Sequence, residues 1–496
     1  MDLPFAFEQI PVTNWAYLSS LLLLVVFFKF NRFWSVRNFD LLLIILIAPG
    51  VLLIAGGSEI SVVNDEPSRL SAPNDVVDGM PDLLSMQAEE EIESEMGVDS
   101  TTNQLTRGQR MVLWGYIWLF SISFAFLIRV LLDPIFKRKP LLNPNLTVGG
   151  LVFLVCSLLA FSIFNVIKAR AIDVSGAKSA VKLMQREAAG DVDTRALRQH
   201  GPGYALFHLF PVMPTFSSGT DMMETDPDNN QNIVRYEAAA KSLALIGQIS
   251  IVLALVFIGN FLFQNFLVGV GMGAVYLMLP YTSVYAGHVL HVLPAALLIW
   301  GVACYRKPAL SGLFIGFAIG VSYYPLFLLP LWISFYWEKG AKPFLIGVLV
   351  SVLCCVGGLV FTSREPADFF NQLIYMFGFW WPLVDGLGGV WDLGWDPIFR
   401  LPILVAFVAL SMSFAFWPTR KNVGTLIAYS AAIMIGVQFW HGFGGGLYVA
   451  WYLPLVLATI FRPNLSERDA VSDLDDGVLG ARKIRIDPAQ ETLNAG

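Results

Sequence analysis

Charged residues are scarce in this chain. Asp, Glu, Lys and Arg make up 14% of its 496 residues, whereas 56% of the residues are hydrophobic. This composition excludes a soluble protein, because it supplies more apolar surface than a soluble core buries. The apolar runs approach the ~20 residues that a helix needs to cross ~30 Å of hydrocarbon, and they lack the alternation of barrel strands. The sequence predicts an all-α polytopic membrane protein with about 12–13 transmembrane helices.

Other chemical groups are also few. The four cysteines, Cys156, Cys304, Cys354 and Cys355, lie in apolar runs without metal-ligand or redox spacing, so we interpret them as small core residues. The net charge of −6 and the absence of a basic stripe predict no nucleic-acid partner. The N-terminus carries no basic region before its first apolar run, so no cleaved signal peptide is expected. Asp, Glu and Lys are nearly absent from the predicted spans, which argues against an ion-coupled transporter.

Basic residues mark alternate connections between the spans. By the positive-inside bias these connections face the cytoplasm of a plasma-membrane protein, with the N-terminus outside and the C-terminus inside. The predicted spans are 14–30, 41–57, 111–132, 148–167, 238–263, 266–279, 289–305, 344–362, 398–417, 424–439 and 447–461, together with an interrupted run at 310–337.

The spans and loops divide the chain into three parts. Residues 1–147 form a three-span region with an acidic outer loop, 58–108, which we expect to be solvated. Residues 148–461 form the membrane core, with outer loops 168–237 and 363–397. Residues 462–496 lack apolar periodicity and are predicted to be a disordered cytoplasmic tail.

The run at 310–337 is broken at residues 322–325 by Ser-Tyr-Tyr-Pro. Basic turns containing Arg306 and Lys339 flank the run, and if both face the cytoplasm the run enters and leaves on one side. It is then a hairpin whose arms are too short to cross the membrane, with an apex at membrane depth beside an outward-facing cavity. A single proline-kinked helix is the alternative, and it would break the charge alternation.

Two outer segments show internal order. Residues 173–189 carry apolar residues at helical spacing, and 204–216 are rich in aromatic residues and proline. Residues 363–397 hold many aromatic rings and are predicted to lie along the outer membrane face. This segment is either a simple aromatic belt or a platform for a lipid substrate.

All five histidines fall on the predicted outer side. His288 and His291 are three residues apart, so they share one face if the helix extends that far. A metal site needs a third ligand, which His441 or Asp173 would have to supply, and no zinc motif is present. We predict no metal and no other cofactor. Contacts to phosphate or to sugar hydroxyls are the functional interpretation, and ordinary interface histidines are the alternative.

Acidic residues near outer span ends are candidate bases. Asp173 follows the fourth span by six residues and is better placed than Asp65, Glu66 or Asp368. Cations on the same face, among them Arg235 and Arg364, are suited to pair with a phosphate, although each is also typical of an ordinary flanking charge. The candidate donor-phosphate and substrate-binding residues are Arg235, His288, His291, Tyr323, Arg364 and His441.

Three segments carry a family resemblance: LPYTSVYAGHVLHVLPAALLIWG from residue 279, RKPALSGLFIGFAIGVSYYPLFLLPLWI from 306, and GLYVAWYLPLVLATIF from 446. They resemble the short span, the hairpin and the closing segment of the GT-C superfamily of integral-membrane glycosyltransferases, in particular bacterial polyprenol-phosphate mannosyltransferase-like families. The resemblance spans residues 149–461. It implies a GT-C-like fold with short broken helices around an outward-facing cavity.

The resemblance also implies an activity. The protein would move a sugar, mannose or another hexose or pentose, from a polyprenyl-phosphate donor to an unknown acceptor on the outer face. Asp173, in KARAIDVSGAKSAVKLM, falls where the family has its catalytic acid. Ser322 and Tyr323 stand where many relatives have a lysine. Either another cation (Arg235, Arg364 or a histidine) binds the donor phosphate, or donor binding has been lost.

The alternative is a non-catalytic polytopic membrane protein that keeps this architecture. It would be a transporter or lipid-handling protein that uses the same cavity, or a scaffold whose acidic loop recruits partners. Under either hypothesis the lipid bilayer is a partner.

Overall fold

The computed structural model of the chain describes residues 11–30, 33–70, 106–135, 142–169, 173–185, 194–215, 230–378, 387–393, 395–465, 468 and 470–474. Secondary structure within these ranges is helical, without a β-strand. The helices are α1 (Val12–Phe27), α2 (Val36–Ile45), α3 (Ile47–Leu70), α4 (Arg107–Leu131), α5 (Val148–Lys168), α6 (Ser175–Gln185), α7 (Thr194–Thr215), α8 (Asn230–Phe257), α9 (Phe266–Met278), α10 (Pro280–Tyr285), α11 (Val289–Ala303), α12 (Pro308–Val321), α13 (Leu329–Phe335), α14 (Ala341–Thr362), α15 (Pro366–Phe377), α16 (Arg400–Phe416), α17 (Val423–Trp440), α18 (Leu453–Phe461) and α19 (Ala470–Asp473).

Seven helical segments among the described residues are long and apolar enough to cross a membrane, and five further apolar helices have 10–17 residues. Their starts follow from local chemistry, because polar side chains cap several of them. The capping residues Ser35, Thr106, Thr147, Asn265 and Asn422 each accept a backbone N–H of the first turn. The predicted all-α polytopic membrane fold is confirmed.

The core lies around α17, with α9 and α18 beside it. In the most apolar stretch of α17, 94% of the residues are buried. The outer helices are far less buried. Only 22% of the residues in the apolar stretch of α16 and 28% of those in α5 are buried, so most of their apolar side chains lie at the surface. Apolar residues on that outer surface are what a lipid-facing helix requires. The chain is therefore an integral, multi-pass membrane protein.

The interrupted run folds as a hairpin. α12 ends where Ser322 adopts extended backbone, a 3₁₀ turn covers Tyr324–Leu328, and α13 returns. The hydroxyl of Tyr336, just after α13, donates to the carbonyl oxygen of Tyr305, just before α12, at 2.5 Å. α12 therefore begins at the same side of the protein at which α13 ends, which confirms the hairpin. With 14 residues, α12 is about 21 Å long at ~1.5 Å per residue, short of the ~30 Å hydrocarbon core.

Three basic turns meet where the hairpin arms begin and end. The ammonium group of Lys421 donates to the hydroxyl of Ser334 at 2.9 Å, and a Cβ added at Gly340 would lie 2.9 Å from Pro308. We call this end, with turns 304–308, 336–341 and 417–422, the basic end. The opposite end, with residues 280–291, 322–328 and 440–452, is called the cavity end.

The last predicted span, 447–461, is wrong in its first part. Only Leu453–Phe461 is helical, and the chain from 441 to 452 forms a loop and a short 3₁₀ turn. Gly444 and Gly446, just before the predicted span, have φ angles of 84° and 91°, and Tyr448 has φ −83° and ψ 47°, outside the helical region, so no α-helix forms before Leu453. Apolar composition alone did not reveal this, because the loop is buried in protein.

The start of the predicted disordered tail is ordered. Leu465 is 1% exposed, and Arg468 donates to the carbonyl oxygen of Leu262 at 3.0 Å. Arg462 donates through Nε to Asp133 at 3.0 Å. Buried polar contacts hold this segment, and the absence of apolar periodicity did not predict them. Residues 475–496 lie outside the described ranges, as do residues 71–105 of the acidic loop, whose beginning is part of α3.

The first three spans share the core with the rest of the chain, since α4 packs against α17. A buried ion network reinforces this contact at the C-terminal end of α4. Arg129 contacts Asp40 at 2.5 Å and Asp133 at 3.0 Å, and Asp133 also pairs with Arg462. Two arginines thus meet two aspartates, so the buried charges are balanced.

Candidate functional site

A cavity of about 280 Å³ opens at the cavity end of the bundle. This volume is at the small end of ligand pockets, which run from ~300 to ~1,000 Å³. The wall combines one histidine, one tyrosine, apolar side chains and three glycines. The lining residues are His291, Gly388, Gly389, Phe443, Gly444, Leu447 and Tyr448.

His291, in the first turn of α11, is held between two aromatic rings. Its imidazole stacks on Tyr285 at 4.6 Å and on Tyr448 at 4.7 Å, with 22° between the planes in both pairs. Tyr285 is the last residue of the short helix α10, which lies directly before α11. The stacking fixes the plane of the imidazole, and 8% of the residue remains exposed.

The hydroxyl of Tyr281 fixes which nitrogen of His291 carries hydrogen. It lies 2.7 Å from Nδ1 of His291, donates to the carbonyl oxygen of Leu447 at 2.7 Å and accepts the N–H of Ala450 at 3.1 Å. A phenol has one hydrogen to donate, and Leu447 can only accept it. All three contacts are satisfied when Nδ1 of His291 carries the hydrogen. Nε2 then carries no hydrogen and has the character of a hydrogen-bond acceptor.

The glycine-rich wall is shaped by a buried glutamine. The side-chain oxygen of Gln438, in α17, accepts the N–H groups of Gly446 and Tyr448, both at 3.2 Å. Across the cavity, the N–H of Gly388 donates to Gly442 at 2.8 Å. The backbone therefore approaches the cavity closely on two sides, and the lining residues Gly389 and Gly444 have φ angles of 69° and 84°, which favour glycine.

The hairpin apex forms an aromatic layer behind this wall. The ring of Tyr324 lies 4.1 Å from that of Tyr323, 4.6 Å from His441 and 5.5 Å from Trp451. His441 accepts the N–H of Phe443 at Nδ1, at 3.1 Å. The predicted residues Tyr323 and His441 are thus brought together, although they lie behind the cavity lining.

Arg400, at the start of α16, is the cation of this layer. Its Nε donates to the carbonyl oxygen of Trp440 at 2.5 Å, and its guanidinium lies 5.8 Å from the Trp440 ring centre. A Cβ added at Gly442 would lie 3.0 Å from Nη2 of Arg400. Arg400 is 6% exposed, so a positive charge is held within protein beside the glycine-rich wall.

Tyr116 brings the N-terminal region to the same site. A Cβ added at Gly389 would lie 3.1 Å from the Tyr116 hydroxyl, and one added at Gly444 would lie 3.9 Å from it. Both glycines line the cavity. The third predicted span therefore contributes to the site and is more than an addition to the core.

Asp173 lies at the edge of the site. It is exposed and accepts the N–H of Ser175 at 2.9 Å, at the start of α6. Burial lowers the pKa of His288 below its ordinary value, and the nearby Asp173 carboxylate partly opposes that shift. Burial, then Asp173 and Tyr448, raise the pKa of Tyr204. Asp173 is thus near both His288 and Tyr204, and Tyr448 links this group to the cavity wall.

The two predicted outer cations are not among the described cavity-lining residues. Arg364 is exposed between α14 and α15, and Arg235 is half-buried in α8, which packs against α6 and α7. Their phosphate-binding roles stay predictions. Within the described ranges, no three His, Cys, Asp or Glu side chains are grouped to hold a metal ion.

Sequence reasoning missed several residues that build the site: Tyr116, Tyr281, Arg400, Gln438 and Tyr448. Arg400 did carry a signal. It is a cation at the predicted outer end of a span, where the positive-inside bias makes cations less frequent. The tyrosines carried none, because their aromatic character matched the surrounding membrane segments.

No known protein-family model matches the chain, no curated protein matches its sequence, and no solved structure matches its fold. The function must therefore be argued from the site itself.

Proposed function

We propose that this protein is a membrane glycosyltransferase that moves a hexose or pentose, such as mannose, from a polyprenyl-phosphate donor to an acceptor on the outer face of a plasma membrane. The proposed orientation puts the cavity end outside and the basic end in the cytoplasm, by the positive-inside bias. One observation carries the proposal: a small cavity is lined by His291, whose Nδ1 is hydrogen-bonded to Tyr281, and behind its wall lies an aromatic layer with a buried cation, Arg400.

The wall suits a sugar. Nε2 of His291, with hydrogen on Nδ1, accepts a hydrogen bond from a sugar hydroxyl, and the N–H and C=O groups of a glycine-rich wall are further polar partners. Tyr448 lines the same wall and is stacked between His291 and Trp451, which holds its ring in place. The volume of about 280 Å³ favours a small sugar headgroup over a nucleotide sugar.

The phosphate of the donor requires a cation, since Ser322 and Tyr323 replace the lysine of the resembled family. Arg400 offers that charge from the aromatic layer beside the hairpin apex. A guanidinium binds phosphate through charge-assisted hydrogen bonds, and it stays charged when buried. Arg235 and Arg364 are the other proposed phosphate ligands; none of the three arginines is among the cavity-lining residues described, and Arg400 lies directly behind Gly442.

Asp173 is the proposed base that deprotonates the acceptor hydroxyl. Its exposed carboxylate beside His288 and Tyr204 leaves an acceptor room to approach from outside. General-base catalysis typically contributes ~10²- to 10⁴-fold to a rate.

The test uses the full-length protein in proteoliposomes with a radiolabelled short-chain polyprenyl-phosphate sugar and membrane extract as the acceptor source. Asp173→Asn should lower transfer by ~10²- to 10⁴-fold at unchanged protein level. Asp368→Asn, at the start of α15, is the matched control and should keep full transfer.

Unchanged transfer in Asp173→Asn would exclude the proposed base. Absence of transfer from every donor sugar, together with retained donor binding, would instead identify a lipid-handling protein.

A further inference from the structure

A second cavity, of about 180 Å³, lies at the basic end, far along the helices from the first. Its walls come from the end of α8, the end of α11 and the start of α12. Phe257, Phe261, Leu262 and Leu310 give it apolar sides, while Arg306 and Lys307 stand at its rim. No acidic residue is among the lining residues described.

The backbone of this cavity departs from regular helix. α8 changes at Ile258 into a π-helical turn that ends at Leu262, and such turns often occur at functional sites. The ring of Phe261 lies 4.5 Å from that of Phe257, and both residues line the cavity. A continuous aromatic and aliphatic side therefore runs from the membrane-spanning part of α8 towards the rim.

Positive charge gathers at the same place from two parts of the chain. Arg306 donates through Nε to the Tyr305 hydroxyl at 3.1 Å, and its guanidinium lies 5.9 Å from the Tyr305 ring centre. Lys307 is exposed beside it. Arg468, from the segment after the last span, donates to the carbonyl oxygen of Leu262, which is a lining residue. The rim is thus cationic and the interior apolar.

We propose that this basic-end cavity binds an anionic phospholipid, with the headgroup phosphate at Arg306 and Lys307 and an acyl chain along Phe257, Phe261 and Leu310. The cationic rim and the apolar interior of this cavity match the two parts of such a lipid. A basic pocket between spanning helices at their cytoplasmic ends provides charge for the phosphate and an apolar side for the chain. A free phosphate would use the rim alone and gain nothing from the apolar side. This site does not depend on the glycosyltransferase proposal.

Binding is measured by native mass spectrometry of the detergent-purified full-length protein titrated with phosphatidylglycerol or phosphatidylcholine. The wild type should retain phosphatidylglycerol in preference to phosphatidylcholine. At ~1 kcal/mol per cation, Arg306→Gln with Lys307→Gln should weaken phosphatidylglycerol binding by about thirty-fold. Lys339→Gln with Lys342→Gln removes two charges from the neighbouring basic turn and should leave the binding within about two-fold, because neither residue lines the cavity.

Cys304 provides a second readout, independent of charge removal, because it lines the cavity. In a variant with Cys156, Cys354 and Cys355 replaced by Ala, phosphatidylglycerol should slow maleimide labelling of Cys304, and phosphatidylcholine should not. Inorganic phosphate at millimolar concentration should neither slow the labelling nor displace the lipid.

Three results would overturn the proposal: equal binding of the two lipids, equal loss in both charge variants, or a labelling rate that ignores phosphatidylglycerol. Protection by inorganic phosphate alone would assign the rim to a soluble anion instead. If Arg306→Gln with Lys307→Gln does not fold, the Cys304 labelling decides.

Discussion

Nδ1 of His291 lies 2.7 Å from the hydroxyl of Tyr281, whose own hydrogen is donated to the carbonyl oxygen of Leu447. Together these two hydrogen bonds connect the start of α11 to the loop before α18. They also determine which nitrogen of His291 carries hydrogen. With hydrogen on Nδ1, Nε2 of His291 is an acceptor, and an acceptor favours a hydroxyl-bearing ligand over one that offers only acceptors.

Tyr281→Phe should therefore change the tautomer of His291. The wild type should show hydrogen on Nδ1 and an unprotonated Nε2 at pH 8, by ¹⁵N NMR of protein labelled at histidine, with the signals assigned through His291→Gln. Without the hydroxyl, Nδ1 loses its acceptor and the hydrogen should redistribute to Nε2. Tyr285→Phe keeps the stacked ring and should leave the ¹⁵N shifts in place. A wild-type His291 with hydrogen on Nε2 would contradict the assignment.

The hairpin depends on close packing of α12 against α14. A Cβ added at Gly312 would overlap the carbonyl oxygen of Phe344, whereas one added at Gly357 would meet nothing within 4 Å. Gly312→Ala should thus lower the free energy of unfolding by ~1–3 kcal/mol, the usual cost of overpacking. Gly357→Ala should cost nothing. Denaturant unfolding in detergent compares the two variants. Equal stabilities would show that α12 and α14 are not packed as described.

Acid should destabilise the cavity end through His288. Burial lowers the pKa of His288 in the folded protein below its value of 6.5 in the unfolded chain. Between these two pKa values the unfolded state binds more protons, so stability falls as pH falls below ~6.5. The midpoint of thermal unfolding should drop between pH 7.5 and 5.5, and His288→Gln should reduce that drop. An identical drop in His288→Gln would place the titrating group elsewhere.

The buried ion network makes Asp133 a sensitive position. Asp133 is 0% exposed and accepts from Arg129 and Arg462, so Asp133→Asn leaves two buried guanidinium groups without that carboxylate. Breaking a buried pair in this way costs ~3–5 kcal/mol. Glu237→Gln breaks the more exposed pair with Lys241 and should cost ~0–1 kcal/mol. A loss below 1 kcal/mol in Asp133→Asn, by the same unfolding assay, would mean that water already screens the network.

The fold was largely predictable because membrane constraints act on composition and on charge at the ends of spans. The length of the apolar runs predicted the helices, and the positions of Arg306 and Lys339 predicted the hairpin. The hydrogen bond between Tyr336 and Tyr305 confirms the hairpin. The sequence failed where buried backbone is irregular. The loop before Leu453 is as apolar as a span, and it differs from one by the non-helical backbone angles of Gly444, Gly446 and Tyr448.

The site was less predictable, because its contacts join residues far apart in sequence. His291 and His441 were identified from their position at span ends, but Tyr281 reaches Leu447 across 166 residues, and no local pattern encodes that contact. Tyr116 belongs to a span outside the resemblance to GT-C transferases. Asp173 is not among the cavity-lining residues described, and its catalytic role stays a prediction.

The central claim is that the cavity beside His291 holds the donor sugar during transfer. Gly388 lines that cavity, does not have a positive φ angle, and a Cβ added there would meet only Phe443, at 3.9 Å. Gly388→Phe should therefore fill the cavity without straining the backbone, and Gly357→Phe adds the same side chain at a position with no atom within 4 Å of an added Cβ.

The decisive measurement is the rate of sugar transfer from the radiolabelled polyprenyl-phosphate donor by these two variants in proteoliposomes. Transfer should be lost in Gly388→Phe and kept in Gly357→Phe at equal thermal stability. Wild-type transfer by Gly388→Phe would contradict the account.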